Sequence, residues 1–146
     1  MSKNGNSGFQ FRSWEGEKPY SVFGYQADID GIHNYTGILY GEGFGGILTN
    51  RGCESVIGDG PKQVSEKRFA EDADLKKEFK VDDWNSYEII ADGYKFTHII
   101  NDKTVSITNE NGEATRKAKG LFAIQIHTSA EPMRVEIKNL RIKRLP

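Results

Sequence analysis

The chain has 146 residues, with 20 Lys and Arg, 21 Asp and Glu, and a formal net charge of −1. That balance argues against nucleic acid as a partner, because polyanion binding needs an excess of phosphate-neutralising charge. Cys53 stands alone, so there is no intrachain disulfide, and no apolar run approaches the length of a membrane span. The length suits one domain, 1–146, with a hydrophobic core of its own.

Taken in chain order, the predicted elements are almost all strands. Short runs with period-two alternation are expected at Gly8–Ser13, Tyr20–Asp30, Thr36–Gly41, Gly46–Asn50, Ser86–Ala91, Tyr94–Asn101, Thr104–Thr108, Leu121–His127 and Arg134–Lys143. Turn dipeptides punctuate them: Asp30-Gly31, Asp59-Gly60, Asp92-Gly93 and Asn111-Gly112. One helix is expected near Ala70–Phe79, acidic at its start and basic at its end. In the last strand the apolar phase slips between Val135, Ile137 and Leu140, Ile142, which predicts a bulge at Lys138-Asn139. The basic residues from Lys138 to Arg144 read as outward positions of that strand. The class is therefore all-β, an antiparallel β-sandwich with one short helix.

Alternation also sorts faces. Phe9 and Phe11, Tyr25, Ala27 and Ile29, and Phe122, Ile124 and Ile126 are expected to face the core. Gln10, Arg12, Gln26, Asp28, Gln125 and His127 then share the outward faces. Planar amides, an Arg, an Asp and a His suit a hydroxyl-rich ligand better than the Lys, Glu and Thr of an ordinary exposed strand.

Several single residues carry candidate chemistry. His127, at a strand end, is a candidate base near neutral pH. Arg12 could hold a developing oxyanion with its fork of donors. Trp14 is a candidate sugar-stacking platform, and Trp84 reads as a core plug. His98 reads as structural and His33 as a loop residue. Cys53 has no nearby His and no helix N-terminus to activate it. The Gly-rich stretch Gly41–Gly46 opens no helix and lacks the Lys of a phosphate loop. No zinc-site spacing and no evident glycosidase carboxylate pair occur.

Seven segments then carry a family likeness in order: Asn6–Arg12, Gly24–Asp28, Thr36–Gly41, Asp83–Ile89, His98–Asn101, Gly120–His127 and Val135–Ile142. Together they resemble the 3-keto-disaccharide hydrolase domain, a family with the concanavalin A-like jelly-roll fold that is typical of exported bacterial proteins. The usual Tyr-Glu-x-Gln of that family stands here as Tyr25-Gln26-Ala27-Asp28. The family's domains usually begin with further strands ahead of the first segment. Their absence leads to the expectation that the N-terminal strand is an open edge, covered by a second copy or a completing chain.

The resemblance implies hydrolysis or elimination at the glycosidic bond of a 3-keto-glycoside, a saccharide partner, and a periplasmic or extracellular location. His127 would be the base. Arg12, with Gln125 or a bound divalent metal, would stabilise the enolate, and Tyr40 and Gln26 would bind hydroxyls. Two other readings share the fold: a non-catalytic carbohydrate-binding module and a structural assembly domain.

Overall fold

A computed structural model describes residues 1–145. Ten strands and one helix follow in order: β1 (Asn6–Glu15), β2 (Val22–Asp30), β3 (Leu39–Glu42), β4 (Gly46–Thr49), β5 (Cys53–Gly58), β6 (Lys62–Arg68), α1 (Asp72–Lys77), β7 (Tyr87–Asp92), β8 (Lys95–Ile100), β9 (Lys103–Glu110) and β10 (Leu121–Ile126). They form two five-stranded sheets, β10-β1-β2-β3-β4 and β6-β5-β9-β8-β7. Pairing is antiparallel except between β5 and β9. This is the expected β-sandwich.

The core lies where the two inner faces meet. Phe11, Tyr25, Leu39 and Leu48 of the first sheet pack on Ile57 and Phe96 of the second. Phe96 meets Phe11 edge-on at 5.2 Å and Tyr25 at 4.7 Å between ring centroids. Two polar contacts also cross between the sheets. The Thr49 and Thr108 hydroxyls lie 2.6 Å apart, and the Tyr25 hydroxyl donates to Glu110. A second cluster, Leu75, Phe79, Ile100 and Val105, seats the helix. Arg51 fixes that corner: its buried guanidinium donates to the Thr36 carbonyl and to the Asp72 carboxylate of α1.

The helix is shorter than expected, six residues instead of the predicted Ala70–Phe79. Two strands escaped the sequence pattern. β5 and β6 flank the Asp59-Gly60 turn, but β6 is exposed along its whole length and so shows no buried face to detect. The Asp92-Gly93 turn forms as expected, with Gly93 at φ 52.

Three expectations need correction. Arg134–Lys143 forms no strand. Its apolar phase slip puts Val135 and Ile137 on one side of any regular strand and Leu140 and Ile142 on the other. Asn139, at φ 55, breaks the run at that point. The segment touches the sandwich where Arg134 exchanges hydrogen bonds with Ser2 and where the Lys138 ammonium lies 3.9 Å from the Trp84 ring centroid. Trp84 is thus a 43 % exposed platform for Lys138 and plugs no core.

The N-terminal strand is not an edge either, since β1 lies between β10 and β2. The open edge of this sheet beside β1 belongs to β10. Phe122, Ile124 and Ile126 do share the inner-face register with Phe9 and Ser7. Even so, they are 54, 44 and 66 % exposed, because no strand lies beyond β7 to cover them. Among the described residues no helix is long and apolar enough to cross a membrane.

Truncation inside and outside the core should differ sharply in effect. Phe96→Ala empties a fully enclosed position and is expected to cost about 3–5 kcal/mol in urea unfolding. Ile126→Ala should stay within about 0.5 kcal/mol, as for an ordinary surface position. A large loss from Ile126→Ala would mean that this face is covered in solution.

Candidate functional site

The outer face of the first sheet carries the candidate residues in rows that the strand register fixes. Gly8 pairs with both Gln125 and Asp28, so these three lie side by side across β10, β1 and β2. The next row is Ala123, Gln10, Gln26 and Tyr40. On the other side, the His127 amide donates to the Asn6 carbonyl, and Asn6 pairs with Asp30. Gly8 supplies no side chain between Gln125 and Asp28, about 10 Å apart by two strand spacings, and the Gln26 side chain packs over it. A Cβ at Gly8 would collide with the Gln26 side chain at 2.4 Å.

Although this face points outward, Gln10 and Gln26 are each 2 % exposed and Asp28 is 7 % exposed. The chain at Val22 lies over Gln10, whose amide donates to the Val22 carbonyl. A cavity of about 360 Å³ opens there, lined in part by Gln10, Tyr20, Ser21, Glu42 and Gln125.

The amides form a directed chain. Gln10 Nε2 donates to Gln26 Oε1 at 3.1 Å, and Gln26 Nε2 donates to Asp28 Oδ1 at 2.6 Å. Burial pushes the Asp28 carboxyl up to about 7; the Gln26 hydrogen bond and His127 pull it down, while Asp30 and Glu42 add to the rise. A carboxyl poised near neutrality can take up or release a proton at working pH. Gln125 Oε1 is buried without a hydrogen-bond partner, an acceptor waiting for a donor. His127 is exposed, and its Nδ1 lies 2.7 Å from the Thr128 carbonyl. A carbonyl only accepts, so Nδ1 carries a proton and Nε2 is the nitrogen left to exchange one with a ligand.

Arg12 is not in this group. A bulge in β1 between Phe11 and Trp14 shifts the register, and Arg12 sits in it at φ 49. Its guanidinium turns to the second sheet instead of facing outward. There it donates to the carbonyls of Ala91, Gly93 and Lys117 and lies 5.2 Å from the Phe96 ring centroid. Trp14, also beyond the bulge, is half-buried against Phe23 and Phe44, away from the amide rows. The structure thus brings Gln10, Gln26, Asp28, Gln125 and Tyr40 together with His127, and separates Arg12 and Trp14 from them.

Sequence reasoning placed Asp28 among ligand-binding residues but gave no sign of its raised pKa. The cause is burial, with charges from Glu42 and His127 brought near by the fold. His98 is the structural residue expected. It is enclosed, its Nδ1 lies 3.1 Å from the Tyr87 hydroxyl, and burial pushes its pKa down to about 4. Cys53 is buried, and burial pushes its thiol up. Among the described residues, no three His, Cys, Asp or Glu side chains converge as a metal-ligand set.

The Asp28 shift has a stability consequence with a definite sign. The folded carboxyl binds its proton more tightly than the unfolded one, whose pKa is about 3.9. The folded state therefore loses stability as pH rises from about 4 to 7. Asp28→Asn keeps an acceptor for Gln26 and removes that loss. At pH 8 the variant should be more stable than wild type by about 2–4 kcal/mol, with the gain vanishing near pH 4. Thermal unfolding across that range is the measurement, and a gain that grows toward acid would have the wrong sign.

The family comparison agrees with the sequence resemblance. A family model described as the 3-keto-alpha-glucoside-1,2-lyase-like domain matches residues 1–143. No curated protein matches the chain, and neither does any solved structure. The match takes in both sheets and every residue of the amide-lined face, and the chain belongs to this carbohydrate-related family.

Proposed function

We propose that the chain cleaves 3-keto-glycosides by proton abstraction at carbon 2, with Asp28 and His127 as the proton-transfer groups on the amide-lined face. The observation that carries this reading is the Asp28 carboxyl, buried beside the Gln26 amide and pushed up to about 7. A ketone at carbon 3 acidifies the proton on carbon 2. The Asp28 carboxylate takes that proton, and the electron pair forms an enolate. The enolate collapses by expelling the oxygen at carbon 1, and protonated His127 supplies that oxygen with a proton. The products are the free alcohol and an unsaturated 3-keto sugar, and water adding across the new double bond completes a hydrolysis. The reaction needs one base and one acid, not the carboxylate pair of ordinary glycosidases.

The other residues bind and orient. The unpartnered Gln125 Oε1 accepts from a sugar hydroxyl, and Gln26 has a second amide hydrogen left after bonding Asp28. Tyr40, in the same row as Gln26, offers a phenol to the ring. The Gln10–Gln26 bond fixes which way each amide points, so Asp28 always meets a donor. Arg12, bonded to three carbonyls, holds the β7–β8 turn and the Lys117 segment in place.

Product analysis with a 3-keto-disaccharide and with the same disaccharide unoxidised is the direct test. Turnover is expected with the keto substrate only. Asp28→Asn and His127→Ala should each lower kcat by about 10²–10⁴-fold, the usual worth of a positioned acid or base. Saturable binding of both sugars with no turnover would instead assign the face to a carbohydrate-binding module.

A further inference from the structure

On the far side of the β1 bulge lies a second, larger cavity of about 560 Å³, lined by Ser13, Trp14, Lys117, Lys119 and Gly120. It is about 15–20 Å along β1 from Gly8. Its frame is built. Trp14 is braced by Phe23 and Phe44 on the first sheet. The Lys117 backbone is held by the Arg12 guanidinium, and Arg116 lies 4.2 Å over the Tyr94 ring. Gly120 touches β1 so closely that a Cβ would meet the Arg12 carbonyl carbon at 2.4 Å and the Ser13 oxygen at 2.5 Å.

Two features of this cavity point to one ligand chemistry. The Trp14 indole is part of its lining, with the Lys117 ammonium 5.3 Å from the ring centroid. Lys117 and Lys119 make no ion pair among the described residues, while Glu113 nearby is already engaged with Arg116. An uncompensated ammonium beside an aromatic face, with a second unpaired lysine in the same lining, suits an anion with an apolar side. A nucleic acid would need a wider basic surface than two lysines in a chain of net charge −1.

We propose that this cavity binds an anionic sugar, a uronic acid residue. Its carboxylate pairs with Lys117 and Lys119, and the C–H face of its ring lies on Trp14. Lys117 leaves its position over the indole to meet the carboxylate as the ring enters. The assignment does not rest on the chemistry assigned to Asp28 and His127.

The test uses the full chain carrying Trp84→Phe, so that Trp14 is the sole indole. Methyl glucuronide should change its emission saturably, and methyl glucoside at the same concentrations should not. Combining Lys117→Ala with Lys119→Ala should weaken glucuronide binding by about tenfold or more, since charge-assisted contacts are lost. Asp28→Asn should leave the titration unchanged, which separates this site from the amide face. An equal response to the glucoside, or no response to the glucuronide, would overturn the proposal. Cyclohexanecarboxylate binding as tightly as the glucuronide would overturn the sugar assignment. Circular dichroism of each variant verifies the fold.

Discussion

The bulge in β1 between Phe11 and Trp14 is the constraint on which the rest of the arrangement depends. A regular strand would send Gln10 and Arg12 to the same side. The extra residues turn Arg12 inward, where it bonds Ala91 and Gly93 across the sandwich. One central strand therefore does two jobs. Before the bulge it presents small and amide residues to the outer face. After it, the strand locks the first sheet to the β7–β8 hairpin and positions Trp14 at the mouth of the second cavity. Bulges commonly re-aim side chains in this way near functional surfaces.

The amide rows depend on a second feature, the lack of a side chain at Gly8. Any larger residue would displace Gln26, and with it the donor that Asp28 relies on. Enclosure and hydrogen bonding then work against each other at Asp28. Burial favours the neutral acid and Gln26 favours the anion, and the carboxyl comes to rest near neutrality. Asp30, on the same strand face, is spent differently. Its carboxylate accepts from the amides of Asn34, Tyr35 and Thr36 and so folds the loop that leads into β3. Two aspartates two residues apart thus differ by what surrounds each: one ties a loop, and the other is held near neutrality.

Much of this was legible in the sequence. Period-two alternation located eight of the ten strands, and it turned Gln10, Gln26, Asp28, Gln125 and His127 away from the core before any register was known. It failed at Arg12 because the expected strand was ended at Ser13, short of Trp14, where the apolar phase slips and marks the bulge. It failed at β6 because Lys62–Arg68 buries neither side. In Arg134–Lys143 the pattern was real but out of phase with itself, and a strand cannot satisfy both halves. Phe122, Ile124 and Ile126 show a further limit. Alternation tells which way a side chain points, but not whether anything lies opposite. The pKa of Asp28 was beyond reach for a related reason, since it depends on neighbours contributed by three different strands.

The pairing of β1 with β10 joins Ser7 to Ile126, residues more than a hundred positions apart. The strands between them form mostly by hairpins of short span, β7 with β8 and β8 with β9. The second sheet can thus organise from local contacts, apart from its parallel β5–β9 pair. The first sheet cannot close until almost the whole chain is available. Loop closure over that distance makes the β1–β10 pair the slow step of folding. On a ribosome, Gln10 would wait for Ala123 until β10 emerged. The amide-lined face is therefore assembled only after the scaffold beneath it is in place.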